Sequence, residues 1–319
     1  MDDMRAALHD SYGPPEVLYV GEVPVPEPGP GEVLVRVRAA GVNGGETAAR
    51  AGRLRLLTGR SFPQRVGIDF VGEVAGTGRE VAGLREGDPV WGLLPRGRFG
   101  SAADYVVVRP RRLARAPEGL TAVEAASLLA GGTTGHTALV AKAGLRPGER
   151  LLVRGGAGGV GSVAVQLGAA LGARVTALAG PGNLDFVRGL GAHEALDYTT
   201  TGPRSLGTFD VVLDTVGAGQ EAYRRLLAPG GRMVAIAFDL DHIATGLARL
   251  AGSAVHGPRR TRFFSGNPDH DLLARVARSA QDGTLRPVVD TARPLAEIAA
   301  AHRALEAGGV RGKHVVRID

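Results

Sequence analysis

Between Leu151 and Ala173 the chain reads LLVRGGAGGVGSVAVQLGAALGA, and five of the seven residues from Gly155 to Gly161 are glycine. The apolar run Leu151 to Val153 leads into the glycines. Val160, Val163, Ala164, Leu167 and Leu171 then recur at the spacing of one helix face. A glycine-rich surface turn accounts for the glycines alone, but not for their place between a strand and an apolar helix. Gly156, Gly158 and Gly161 form G-x-G-x-x-G in that place, with Gly159 and Val160 between them. Such glycines allow a tight turn and close backbone approach, and the helix N-terminus offers unpaired N–H groups to a pyrophosphate. The feature predicts a dinucleotide site in a doubly wound parallel sheet.

The rest of the chain has three textures. Residues 1–120 are rich in Pro, Gly and Val, and EVLVRVRAAGV alternates as a half-buried strand does. This part reads as a β-rich domain. Residues 121–255 alternate strand and helix. The segment from Thr121 starts with a capping box, Thr121 and Glu124. The short apolar runs RLLVRG, ARVTALAG, EALDY, FDVVLDTVG and GRMVAIAF follow, as buried parallel strands require. Residues 256–319 lose this rhythm. They hold two amphipathic helices and a last strand, GKHVVRI, and are expected to return to the first domain.

The 319 residues contain no cysteine, which removes disulfides, thiolate chemistry and cysteine-based zinc sites. The formal charge is +6, almost all of it arginine, with lysine only at positions 142 and 313. The basic residues are scattered, so nucleic acid is not an expected partner. No apolar run is long enough for a membrane span, and no signal peptide is visible, so a cytoplasmic protein is expected.

An NAD site usually has an Asp or Glu at the end of its second strand, on the ribose 2′-OH. Here that strand ends ALAGPGN, without a carboxylate before Asp185. NADPH is the expected cofactor, with Gly180 in the turn and Asn183, Arg188 and Tyr198 as candidates for the 2′-phosphate. Arg188 is equally readable as a solvated helix residue.

The glycine loop, VGIDFVGEV, LREGDPVWG and the closing GGVRGKHVV together resemble the zinc-independent quinone oxidoreductases of the medium-chain dehydrogenase/reductase superfamily. The resemblance runs over essentially the whole chain. It implies an α/β fold in which a Rossmann domain is inserted into a GroES-like catalytic domain, and a homodimer. Zinc-dependent relatives have a metal-ligand Cys where this chain has Asn43, and a Glu where it has Asp69, so no metal is expected. The resemblance puts Asn43 near the nicotinamide ribose or substrate and Thr134 near the nicotinamide, as the catalytic candidates. It puts Val216 and Gly217 of DTVG, and Lys313, at the cofactor, and Phe263 and Phe264 of RFFSG on the substrate pocket. Asn43 is also readable as a turn residue, Thr134 as a packing residue, and the two phenylalanines as core.

The chain departs from the family at VNGGE, where relatives often read VNPxD, so that Glu46 replaces Asp. Its expected chemistry is hydride transfer from NADPH to a quinone or an α,β-unsaturated carbonyl. His136 is the nearest candidate acid, and solvent is the alternative proton source. Two further readings are an enoyl reductase of a biosynthetic pathway and a dinucleotide-binding protein with a structural or regulatory role. The apolar segment GSAVHG is the expected dimer edge.

Overall fold

The computed structural model describes residues 2–237 and 261–319. The chain forms two compact units, one made of Met1–Thr133, Asn267–Gly283 and Pro287–Asp319, the other of Thr134–Gly266 and Thr284–Arg286. The segment GSAVHG, residues 252–257, lies outside the described residues.

The first unit is built on a mostly antiparallel seven-stranded sheet. Its central strand, Val33–Gly41, alternates as its sequence does: Val33, Val35 and Val37 are buried, while Arg36 between them is exposed. Asp69–Thr77 pairs with this strand on one side. Lys313–Arg317 pairs with it on the other, setting Val315 opposite Gly41. The core beneath combines Val33, Val35, Phe70 and Val90 with Ile298 and Ala301 of the helix Ile298–Ala307. The tail thus supplies both a strand and part of the core.

The second unit is a six-stranded parallel sheet. Its order is Glu194–Asp197, Arg174–Ala179, Arg150–Arg154, Phe209–Asp214, Leu227–Ala235, Thr261–Phe263. Numbered along the chain this is 3-2-1-4-5-6, the doubly wound Rossmann order. Its central strands read as unbroken apolar runs because helices cover both faces; Leu151, Leu152, Val153, Val211, Val212 and Leu213 are all fully buried. The helix Gly161–Ala170 differs from the one-faced helix its spacing predicts. It is buried all round from Gly161 to Gly168, including Ser162 and Gln166. Gln166 exchanges hydrogen bonds with the backbone of Arg286, donating at 3.2 Å and accepting at 2.8 Å. That exchange ties residues 284–286 to this unit.

Among the described residues, no helix is long and apolar enough to cross a membrane.

Candidate active site

In a 3-2-1-4-5-6 sheet the direction of winding reverses between the first and fourth strands, and ligands bind beyond their carboxyl ends. Here those strands are Arg150–Arg154 and Phe209–Asp214, paired side by side. The glycine loop follows the first and DTVG follows the second.

The glycines of the loop are not equivalent. A Cβ on Gly161 would sit 2.0 Å from the carbonyl oxygen of Gly155, and one on Gly156 2.9 Å from Cβ of Ala177. Backbone packing demands both. A Cβ on Gly158 would meet nothing nearer than 3.7 Å, so this position faces open space. Sequence reasoning passed over Gly155, which has φ +73° and would push a Cβ to within 2.5 Å of Thr215 Oγ1. Its signal was present in the run of five glycines.

Asp214 organises the neighbouring loop. Its buried carboxylate accepts from Arg154 at 2.7 Å, from the amides of Val216 and Gly217 at 3.2 Å each, and from Gln220 at 2.8 Å. Arg154 also donates to the carbonyl of Ala218 at 2.9 Å and lies 3.7 Å above the ring of Tyr223. Thr215 donates back to the carbonyl of Arg154 at 2.7 Å. The two loops are therefore bolted together. Val216 is left half exposed beside them, and Gly217 takes φ +90°. The ion pair Arg154–Asp214 is internally neutral, so the helix N-terminus remains the positive feature of the loop. An open glycine, close backbone packing and a helix N-terminus fit the pyrophosphate of a dinucleotide.

At the end of the second strand the structure brings Gly180 and Tyr198 together. A Cβ on Gly180 would lie 3.7 Å from the Tyr198 hydroxyl, and Tyr198 is 60% exposed. Asn183 is buried in the same turn. Arg188 is not placed with them: it pairs with Asp185 at 2.6 Å and reaches back to the carbonyl of Ala195, two residues before the strand end at Asp197. Thr134 is half-buried on the helix Ala122–His136, with its hydroxyl near Gly266. Phe263 and Phe264 are half-buried at the edge strand of the same sheet.

The first unit contains a buried polar cluster. Asp69 is 0%, Glu46 2% and Lys313 7% exposed. Asn43 starts the helix Gly44–Arg50. Its amide N–H donates to Glu46 Oε1 at 2.5 Å, and the N–H of Gly67 donates to Glu46 Oε2 at 2.7 Å. The side-chain Nδ2 of Asn43 donates to the carbonyl of Gly41 at 3.0 Å and to Asp69 Oδ1 at 3.1 Å, and its Oδ1 accepts from the Lys313 ammonium. Burial, helped by the neighbouring Asp69, pushes the Glu46 carboxyl up to about 8 against the two amide donors. Burial also raises Asp69 and lowers Lys313, each opposed by the charge of the other. Sequence reasoning named Asn43 and Lys313 separately and had no sign that they touch. It noted Glu46 only as a departure. Among the described residues, no three His, Cys, Asp or Glu side chains gather where they could hold a metal ion.

A dinucleotide loop at the reversal point of a doubly wound sheet, in a chain that also folds an antiparallel β unit, defines an NAD(P)-dependent oxidoreductase of the medium-chain dehydrogenase/reductase superfamily. Residues 29–118 match the alcohol dehydrogenase GroES-like domain and residues 190–316 the family described as zinc-binding dehydrogenase. The chain is 32% identical to 2-methylene-furan-3-one reductase of Solanum lycopersicum, over 98% of this chain and 79% of that protein. It is also 32% identical to the chloroplastic NADPH-dependent alkenal/one oxidoreductase of Arabidopsis thaliana, with the same coverage. The solved quinone oxidoreductase of Coxiella burnetii superposes with a TM-score of 0.91 at 28% identity, over all of both chains. The chain belongs to the quinone oxidoreductase family of that superfamily.

Proposed function

We propose that this enzyme reduces quinones or α,β-unsaturated carbonyl compounds with NADPH and without zinc. The observation that carries this reading is the pairing of the glycine loop with the Asp214-ordered loop at the point where the sheet reverses. The names of its relatives, an alkenal/one oxidoreductase and a furanone reductase among them, support the acceptor class.

When bound, the reduced nicotinamide supplies the hydride. The chain's part is to bind and orient. Gly158 gives the pyrophosphate room, and the N-terminus of the helix Gly161–Ala170 offers it N–H groups. Val216 and Gly217 border the loop, and the Thr134 hydroxyl is the polar group beside RFFSG. Phe263 and Phe264 supply the apolar wall of the acceptor site. A quinone or enone has a flat apolar body and a carbonyl oxygen, which suits such a wall together with a donor for the oxygen. An assay of NADPH oxidation over paired quinone and enone panels tests the reading; no oxidation with either class would overturn it.

The second strand ends at Gly180 with no carboxylate to hold a 2′-OH or repel a 2′-phosphate. The exposed Tyr198 has its hydroxyl beside that turn, and Asn183 lies within it. NADPH is therefore expected to be preferred over NADH by on the order of tenfold in kcat/KM, about 1.4 kcal/mol. Gly180→Asp is expected to reverse the preference by placing a negative charge in an open turn. A wild-type ratio at or below one would refute the assignment.

The reading also includes a homodimer and a cytoplasmic location. Asn43 and Asp69 stand at two metal-ligand positions of the zinc-dependent relatives and are spent on each other and on Lys313. Native mass spectrometry of protein purified without added metal is expected to give a dimer mass free of zinc. Stoichiometric zinc, or a monomer at micromolar concentration, would count against these points.

A further inference from the structure

Two adjacent leucines of the first unit stand out in water. Leu56 is 95% and Leu57 76% exposed, the two highest values among the large apolar side chains described. Single exposed apolar residues are ordinary on a protein surface, but an adjacent pair so fully exposed is not. Tyr198 and Val216, next in exposure, border the cofactor loops. The leucines belong to neither loop. They sit on the short helix Arg55–Thr58.

That turn is fixed from below. The N–H of Leu57 donates to the carbonyl of Leu54 at 2.8 Å, and that of Gly59 to the carbonyl of Arg55 at 3.0 Å. The Tyr12 hydroxyl donates to the carbonyl of Gly59 and lies 2.6 Å from the Thr58 hydroxyl. Gln64 Nε2 donates to the carbonyl of Thr58 at 3.1 Å. The ring of Tyr12 meets Phe62 edge-on, with centroids 5.1 Å apart. An anchored turn thus presents both leucines outward.

The charge beside them has one sign. The chain holds no acid between Glu46 and Asp69, and Arg53, Arg55 and Arg60 are exposed on either side of the leucines. Glu306 is already engaged, by the buried Arg50. Residues 95–100 add the exposed Arg96 and Arg98 and no acid, and the Gly100 N–H ties them to the carbonyl of Gly67 at 2.9 Å.

An apolar tip flanked by arginines suits an anionic lipid surface. The leucines can enter the acyl boundary while the guanidinium groups stay with the headgroup phosphates. A second copy of the chain suits it poorly, since a two-fold contact would set arginines against arginines. A folded partner needs about 800 Å² on each side, much more than one helical turn offers, whereas a bilayer needs no matching shape. We propose that Leu56 and Leu57, with Arg53, Arg55 and Arg60, dock this protein peripherally on a membrane that carries anionic lipid. The contact is superficial, as no described helix can span a bilayer. The inference does not depend on the reductase reading.

Sedimentation of the full chain with vesicles tests it, comparing phosphatidylcholine and phosphatidylserine in equal parts with phosphatidylcholine alone. Wild type is expected to bind the mixed vesicles about tenfold or more tighter, and to lose that advantage as salt rises. Leu56→Ser combined with Leu57→Ser should weaken binding to the mixed vesicles about tenfold or more. Arg55→Gln combined with Arg60→Gln should bring their affinity toward that of the neutral vesicles. Both double variants alter only exposed side chains, so thermal midpoint and NADPH affinity should match wild type. Leu57→Trp reports the contact directly, through an emission that shifts to the blue on the mixed vesicles. Wild type that fails to bind the mixed vesicles would overturn the proposal. A leucine double variant that binds as wild type does would overturn it too. If that variant does not fold, an unmoved emission of Leu57→Trp overturns it alone. Self-association abolished by the leucine changes, without vesicle binding, would give the tip to a second copy and also overturn it.

Discussion

Replacing Gly161 by alanine is expected to destroy cofactor binding and to destabilise the second unit by about 3 kcal/mol. The added methyl would lie 2.0 Å from the carbonyl oxygen of Gly155 and 2.9 Å from Cα of Gly156. Both obstacles are backbone, so no rotamer change relieves them. The loop would have to open, and with it the contact that sets the first turn of the helix. Gly158→Val is the matched control. It adds more volume at a position where the protein is open, so the chain should keep its thermal midpoint while NADPH affinity is lost. Urea unfolding and fluorescence titration of the two variants separate the effects. Equal stability of Gly161→Ala and wild type would show that the loop is not built as described. Unchanged affinity in a folded Gly158→Val would show that the pyrophosphate lies elsewhere.

Asp214→Ala is expected to be the most destabilising single change at this site, by about 3 to 5 kcal/mol. The substitution removes an acceptor for four donors and leaves the Arg154 guanidinium buried without its counter-charge. Double replacement of Arg154 and Asp214 by Met and Leu should recover part of the loss, because an apolar pair of similar volume leaves no orphaned charge. Calorimetry of the single and double variants is the measurement. A double variant no more stable than Asp214→Ala would assign the loss to the amides of Val216 and Gly217 instead of the ion pair.

These two sites differ in how far the sequence disclosed them. The glycine loop was legible because it is local: strand, turn and helix follow one another within about twenty residues, and each carries its own periodicity. The doubly wound sheet was legible for the same reason, as a succession of short apolar runs. Asp214 was visible only as part of a matching motif, since nothing in DTVG shows that Arg154 lies across the sheet from it. Arg188 was placed near the cofactor by its distance in sequence from ALAGPGN. The helix turns its guanidinium back toward Ala195, where Asp185 also holds it, a choice made by side-chain direction that sequence spacing does not encode. The polar cluster of the first unit was the least legible feature. Asn43, Asp69 and Lys313 come from three separate stretches and meet only through strand pairing.

That last pairing has a consequence for the life of the polypeptide. Asn43 and Lys313 are separated by 270 residues. At the usual pace of translation, about 5 to 20 residues per second, the ribosome needs roughly 14 to 54 s to add the lysine after the asparagine. During that interval Asp69 and Glu46 have no cationic partner, and the edge of Val33–Gly41 awaits the strand Lys313–Arg317. Until residue 313 has been added, the nascent chain therefore lacks the strand that pairs with Ala39–Gly41 and the cation that stands beside Asp69 and Glu46. A newborn molecule can acquire its Lys313–Asn43 contact only once residue 313 has been added and has emerged, and a chain cut short before residue 313 never acquires it.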